Sequence, residues 1–157
     1  MAAPDRTLRG FAGYTMKRAF NAIQADVNAA LAPFGLRMVT FSALVVIADN
    51  PGLRQSELAE ALMIERPNLV LILDELERAE LISRDRAAGD RRAYELRATL
   101  KGGRLCDRAR RAVTAHDARM TEGMSETDRQ ALIAALRRIE ANGPERQAHG
   151  PDRLSAS

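Results

Sequence analysis

A cluster of arginines between residues 84 and 111 is the part of this 157-residue sequence with the clearest chemical potential. The stretch holds ten basic and four acidic residues, a net charge of +6, whereas the whole chain carries +3, so the rest of the chain is net negative. Charge concentrated in this way suits a polyanion, because each Lys or Arg placed on a phosphate releases condensed counterions. The alternative interpretation is a solvated basic face without a partner.

The first part of this stretch is predicted to form a β-hairpin. Ser83–Arg86 alternates like an outgoing strand, Ala88-Gly89-Asp90 is a turn, and Ala93–Arg97 alternates like a returning strand. The charged residues near the tip would face solvent. The hairpin therefore indicates a small basic wing.

The segment before the hairpin has helix-turn-helix spacing. We predict a helix over Ser56–Leu62, a tight turn at Met63 and Ile64, and a second helix that begins at Glu65 with Pro67 in its first turn. In helix-turn-helix proteins the N-terminal end of the second helix enters the DNA major groove. Its predicted core face consists of Leu69, Ile72, Leu73 and Leu76.

The outward face of this second helix combines two polar and two apolar residues. Arg66 and Asn68 have the donor patterns that pair with guanine and adenine edges. Val70 and Leu71 follow on the same outward face, and we expect one of them, Leu71 in our assignment, to contact a thymine methyl group.

Amphipathic helices flank this central region. We predict helices over Leu8–Ala32 and Thr40–Asp49, a helix that is capped by Thr99 and continues to about Met124, and a last helix over Glu126–Ala141. The first and the last two carry apolar stripes that something must cover. A homodimer would cover them, and the alternative is that they thicken a monomeric core.

Composition excludes several classes of protein. The chain is 46% hydrophobic and 29% charged, which is typical of a soluble globular protein. It lacks an apolar run of membrane-spanning length and an N-terminal signal pattern, so we expect a cytoplasmic protein. Cys106 has no second cysteine to pair with, two histidines do not make a metal site, and no catalytic motif or cofactor signature is present. We therefore expect neither an enzyme nor a cofactor.

The chain resembles the MarR family of bacterial transcription regulators. The resemblance covers residues 10 to about 141 and depends on the order of the helices and on three local motifs. These motifs are Leu76-Glu77-Arg78-Ala79-Glu80-Leu81-Ile82, Asp90-Arg91-Arg92 in the wing, and Thr99-x-x-Gly102 at the start of a long helix. The resemblance implies a mainly α fold with a small β-hairpin wing: a winged helix-turn-helix lobe plus N- and C-terminal dimerisation helices.

The resemblance also implies roles for individual residues. Arg92 matches the wing-tip arginine that enters the minor groove, and Asp90 matches the acid that orients it. The chain departs from the family pattern at Val70 and Leu71, where polar residues are usual, and at Glu80, where glycine is usual. The remaining predicted DNA contacts are Arg54, Gln55 and Ser56 at the start of the first helix of the motif, and Arg84, Arg86 and Arg91 on the wing, which we expect to contact phosphate.

A small-molecule pocket between the lobe and the dimerisation helices is a further implication. Tyr14, Arg18, Phe41 and His116 lie on the helices that would line it, a combination that suits an aromatic carboxylate, a phenolic acid or its thioester. His116 has a second interpretation, a buried core or interface histidine with a backbone partner.

The sequence therefore predicts four segments and one function. The segments are an N-terminal dimerisation helix (1–35), the DNA-binding lobe (36–100), C-terminal dimerisation helices (101–142) and a disordered tail (143–157). The predicted function is a ligand-responsive repressor that binds a pseudo-palindromic operator as a homodimer and is released by its effector. Two alternatives stay open: an oxidant sensor that acts through Cys106, and a winged-helix adaptor that binds protein instead of DNA.

Overall fold

A computed structural model describes residues 4–143, except for the side chains of Arg91 and Arg92. These residues form six α-helices and three short strands, with 3-10 turns at Leu8–Gly10 and Ala32–Phe34. The described chain divides into two compact units between Asp117 and Ala118. In chain order the elements are α1 (Ala12–Leu31), α2 (Met38–Asp49), β1 (Leu53–Arg54), α3 (Gln55–Leu62), α4 (Arg66–Arg78), β2 (Ile82–Ala87), β3 (Asp90–Ala98), α5 (Leu100–Met120) and α6 (Glu126–Ala141).

Helix α2 is the centre of the hydrophobic core, as its nearly continuous apolar sequence predicts. Ala43, Leu44 and Ile47 are fully buried. Thr40 is buried beside them, and its hydroxyl is satisfied by hydrogen bonds with the backbone N–H and carbonyl of Arg37. The predicted core face of α4 is also confirmed, since its four members are at most 6% exposed. Other buried core side chains come from α1, α3, the strands and α5: Val27, Leu31, Leu58, Ile82, Leu96, Cys106 and Ala109.

The helix-turn-helix motif forms where the sequence predicts it. Helix α3 begins after Arg54, whose backbone N–H donates to the Glu57 carboxylate at 2.8 Å, so Glu57 supplies the acidic half of a capping box. It ends at Met63, which adopts a left-handed φ of 52°. Glu65 then occupies the N-cap of α4, and Pro67 lies in the first turn, where its missing N–H costs no hydrogen bond.

The wing is a three-stranded antiparallel sheet in the order β1-β3-β2. The two predicted strands of the hairpin pair as β2 and β3, with Arg84 opposite Leu96, and Gly89 takes the positive φ of 86° that the turn requires. The third strand was not predicted. Strand β1 pairs Leu53 with Leu96, and two residues are too few to show the alternation that identifies a strand in sequence.

The junction between α4 and α5 explains two motifs of the sequence. Helix α4 ends in a Schellman turn, in which the Leu81 N–H donates to the Leu76 carbonyl at 2.9 Å and Glu80 adopts a left-handed φ of 60°. The Thr99 hydroxyl donates to the Glu80 carbonyl and accepts from the Gly102 N–H at 2.9 Å, so Thr99 caps α5 as predicted. A Cβ on Gly102 would lie only 1.9 Å from the Leu81 carbonyl oxygen. In the Thr-x-x-Gly motif, the threonine therefore caps α5, and the glycine allows the backbone of α5 to approach the backbone at Leu81.

The terminal helices keep apolar side chains exposed. Phe11, Phe20 and Ile23 are 61%, 46% and 38% exposed around α1, and Leu132, Leu136 and Ile139 form an exposed stripe along α6. Helix α6 has the predicted bounds, with Ser125 as its N-cap, whereas α1 begins four residues later than predicted, after the first 3-10 turn. The predicted disordered tail lies outside the described residues from position 144 onward.

No single helix in the described part of the chain combines the length and apolar composition of a membrane span. Only the pair Ala12–Phe34 and Met38–Asp49, taken together across a 66° bend, reaches that composition.

Candidate nucleic-acid interface and ligand pocket

A concave cleft of about 780 Å³ opens between α3, α4 and the wing. Six of the predicted DNA-contacting residues lie on its lining although they come from three separate stretches of the sequence. Arg54, Gln55 and Ser56 are contributed by β1 and the start of α3, Arg66 by the first residue of α4, and Arg84 and Asp90 by the wing. Val70, Glu77, Ala93 and Tyr94 complete the lining.

Arg84 is held by carboxylates of α4. Its guanidinium donates to Asp74 at 2.6 Å and to Glu77 from Nε at 2.9 Å, and it also bonds to Glu77 through an Nη atom. The hydrogen bond with Glu77 raises the pKa of Arg84 above its ordinary value, against the effect of burial, and Asp74 adds to the rise. Arg84 therefore ties the wing to α4, a role that sequence reasoning missed because the acids lie ten and seven residues away. Its predicted phosphate contact stays a prediction.

The outward face of α4 matches its prediction in burial. Arg66 and Asn68 are exposed at the N-terminal end of the helix, and Val70 and Leu71 are 39% and 68% exposed. Arg86 is also exposed, on β2. The predictions for Arg91 and Arg92 concern side chains outside the described part of the structure, so the minor-groove contact and its support by Asp90 stay predictions.

Part of the positive charge between residues 84 and 111 is neutralised within the fold. Lys101 donates to the Ala79 carbonyl and lies 3.4 Å from the Glu80 carboxylate, and Arg110 pairs with Asp49 at 2.5 Å. These two cations lie on α5 and not on the wing. The net charge of the stretch therefore overstates what the cleft can offer to a polyanion.

A second, smaller pocket of about 380 Å³ lies between α1, α2 and the part of α5 that ends at Asp117. Phe41 and His116, two of the four predicted ligand contacts, line it together. The remaining lining is mostly apolar and consists of Ile23, Val27, Met38 and Val113. Three polar side chains complete it, Ser42 from α2 and Thr114 and Asp117 from α5.

His116 is the buried polar side chain of this pocket. It is 5% exposed, and its Nδ1 lies 2.6 Å from a carboxylate oxygen of Asp26 on α1. The expected backbone partner is thus wrong: the partner is an acid ninety residues away, which no local sequence signal could identify. Because a carboxylate accepts hydrogen bonds, Nδ1 carries a proton, and in the neutral form of the ring Nε2 is then an acceptor.

Tyr14 and Arg18 form a different cluster, at the start of α1. The Tyr14 hydroxyl donates to Asp5 at 2.7 Å, and the Arg18 guanidinium lies 3.5 Å from the same carboxylate and 6.0 Å from the Tyr14 ring centroid. Hydrogen bonds from Arg9 and Tyr14 lower the pKa of Asp5 to about 2. Neither Tyr14 nor Arg18 lines the pocket that contains Phe41 and His116.

Cys106 belongs to the hydrophobic core and is 1% exposed. The Arg110 Nε lies 3.4 Å from its sulphur, and this contact, followed by that with Asp49, raises the pKa of Arg110 above its ordinary value. Oxidant-sensing cysteines are accessible to solvent, so the burial of this thiol disfavours the oxidant-sensing alternative.

Comparison with known proteins gives consistent matches. The sequence profile of the MarR family matches residues 36–94, which run from just before α2 into the returning strand of the wing. A protein of Thauera aromatica that is named for transcriptional regulation of the hcr operon is 38% identical over 99 residues. That match covers 63% of this chain and 60% of the length of the relative.

Two solved structures are similar over most of the chain. The transcriptional repressor CouR bound to a 23-mer DNA duplex is 36% identical, has a TM-score of 0.84, and aligns over 89% of this chain and 99% of its own. CouR from Rhodococcus jostii RHA1, bound to p-coumaroyl-CoA, is 30% identical with a TM-score of 0.75, over 82% of this chain and 91% of its own.

Proposed function

Because this chain belongs to the MarR family of winged-helix transcriptional regulators, we propose that it is a repressor that binds a pseudo-palindromic operator as a homodimer and responds to a small effector. The observation that supports DNA binding most directly is the cleft, which collects Arg54, Ser56, Arg66 and the base of the wing on one concave face. Such a regulator acts on the chromosome, so we place it in the cytoplasm and assign it no catalytic activity.

The geometry suggests how the cleft would engage a duplex. The N-terminal end of α4 carries Arg66 and Asn68 and would enter the major groove. The start of α3 would contact a phosphate through the Arg54 side chain and the backbone N–H groups of its first turn. The wing would lie along the sugar-phosphate backbone of the duplex and reach the adjacent minor groove, where Arg92 would insert.

The pocket between α1, α2 and α5 supports an aromatic effector. Its volume lies within the range of small-molecule sites, its walls are mostly apolar, and His116 offers one hydrogen-bonding atom. A planar aromatic acyl group fits this chemistry, and a relative binds p-coumaroyl-CoA. We propose an aromatic carboxylate thioester as the effector and its binding as the event that releases DNA.

A salt titration tests DNA binding. We would select a duplex from a random library with the wild-type protein and measure its affinity between 50 and 200 mM salt, with and without p-coumaroyl-CoA. For a regulator, the logarithm of the association constant should fall linearly with the logarithm of the salt concentration, with a slope of about −0.9 for each phosphate contact. The affinity should fall further when the thioester is added. Arg66→Ala should weaken binding, whereas Arg138→Ala on α6, which contributes nothing to the cleft, should not.

Two outcomes would contradict the proposal. Failure to enrich any duplex at low salt would favour the adaptor alternative, in which the lobe binds protein. Binding that is insensitive to the thioester and is lost on peroxide treatment of the wild type, but not of Cys106→Ser, would favour an oxidant sensor in spite of the burial of the thiol.

A further inference from the structure

Leu71 is an exposed apolar residue in the middle of the helix that would enter the major groove. We propose that Leu71 packs against the 5-methyl group of a thymine, so that a methyl contact, and not a hydrogen bond, sets the base preference at that operator position. The inference rests on the proposed function, because it assigns base recognition within the DNA contact.

The outward surface of the first half of α4 has few hydrogen-bonding groups. Within residues 66–71 only Arg66 and Asn68 carry exposed polar side chains, and both lie in the first turn. Pro67 lies one turn before Leu71 on the same face and has an apolar ring. Leu71 itself is 68% exposed, because the core positions of α4 lie on the opposite side of the helix. Beyond its first turn, this part of α4 therefore offers a base an apolar contact and not a hydrogen bond.

Val70 is the other apolar residue on this face, but its surroundings differ. It is 39% exposed and lines the cleft together with Ala93 and Tyr94 of the wing. Leu71 does not belong to that lining and is more exposed than Val70. Leu71 is therefore the side chain with room to approach the edge of a base.

The acids that follow Leu71 on the same face are held in ion pairs. Asp74 lies 2.6 Å from Arg84 of the wing, and Glu75 lies 2.5 Å from Arg37 at the start of α2. Unpaired carboxylates three and four residues from Leu71 would repel phosphates. Their pairing leaves the surface around Leu71 apolar and close to neutral on its C-terminal side, which is compatible with close approach to a duplex.

The chemistry of the bases then specifies which one Leu71 favours. Thymine alone presents a methyl group in the major groove, and cytosine has a hydrogen at the same carbon. Burial of one methyl group corresponds to about a fourfold change in affinity for each half-site. Deoxyuridine differs from thymidine only by that methyl group, so it isolates the contact.

Deoxyuridine substitution is the test. The duplex selected with the wild-type protein would be resynthesised with each thymine replaced in turn by deoxyuridine, and affinities measured by fluorescence anisotropy. We expect one position in each half-site at which the replacement weakens wild-type binding about fourfold. Leu71→Ala should bind the two duplexes equally, and Leu71→Met should keep part of the difference. Leu100→Ala, which removes a leucine that is 73% exposed at the start of α5, should leave the difference intact.

The outcomes separate this inference from the proposed function. A selected duplex that binds tightly but is insensitive to deoxyuridine at every position overturns the role of Leu71 and leaves DNA binding standing. A sensitivity that persists in Leu71→Ala and disappears in Val70→Ala also overturns it, in favour of the neighbouring residue. Failure to select any duplex overturns the proposed function and this inference together.

Discussion

His116 has an acidic partner at one of its two ring nitrogens. Its ring is buried and lines the pocket, and Asp26 lies 2.6 Å from Nδ1, so in the neutral form of the ring Nε2 is the nitrogen left to accept a hydrogen bond. A phenolic hydroxyl can donate to such an acceptor, whereas the same ring without the hydroxyl cannot. The pair Asp26–His116 would therefore position one acceptor for the distal end of an aromatic effector.

The replacement His116→Phe tests this role at the scale of one atom. The variant keeps an aromatic ring but removes Nε2, so we expect its affinity for p-coumaroyl-CoA to fall about tenfold, the value of one buried hydrogen bond. Its affinity for cinnamoyl-CoA, which lacks the hydroxyl, should change little. Isothermal titration of both ligands to both proteins gives the comparison. An equal loss for the two thioesters would show that the histidine acts only through packing.

At the scale of elements, the junction of α4 and α5 depends on one glycine. Gly102 is buried where α5 crosses the backbone of Leu81, and it leaves no room for a side chain. Gly103 is the next residue of the same helix, and an added Cβ there meets nothing within 4 Å. Of the two adjacent glycines, only Gly102 is therefore required by the packing, and Gly103 has room for a side chain.

Alanine at each of the two positions should give opposite effects on stability. Gly102→Ala forces the backbones of Leu81 and α5 apart, and we expect it to lower the free energy of unfolding by about 2–3 kcal/mol. Gly103→Ala should raise it by about 0.5–1 kcal/mol, because alanine favours the helix. Urea denaturation at one fixed protein concentration measures both. A Gly102→Ala protein as stable as the wild type would show that the contact relaxes.

The elements were predicted well where periodicity or capping marks them. Helix α6 has the predicted bounds, because Ser125 and the apolar stripe define both its start and its face. Strand β1 and the partners of Arg84 and His116 were not predicted, because each depends on residues brought together by the tertiary fold. Single-sequence patterns report local conformation and burial, and they do not report which distant side chains meet.

At the scale of the whole molecule, the terminal helices keep apolar faces that no other part of the described chain, residues 4–143, covers fully. Leu132, Leu136 and Ile139 recur at steps of four and three along α6, so they form one stripe, and each remains 38–44% exposed. Phe11 and Phe20 are similarly exposed around α1. Exposed apolar surfaces of this kind mark protein interfaces, and a twofold dimer would bury these residues in both subunits. Dimerisation through these helices would also set the spacing of two α4 helices to one turn of DNA, about 34 Å.

Leu136→Glu should therefore separate folding from assembly. A charge placed in a twofold interface occurs twice, and with the lost apolar burial it should raise the dimer dissociation constant at least about 100-fold. Sedimentation velocity would detect the shift to monomer, and circular dichroism would check that the helices persist. Because a monomer contacts one half-site, its affinity for a two-half-site duplex should fall to that for a single half-site. Leu100→Glu is the matched control, and a Leu136→Glu protein that stays dimeric with full DNA affinity would place the interface elsewhere.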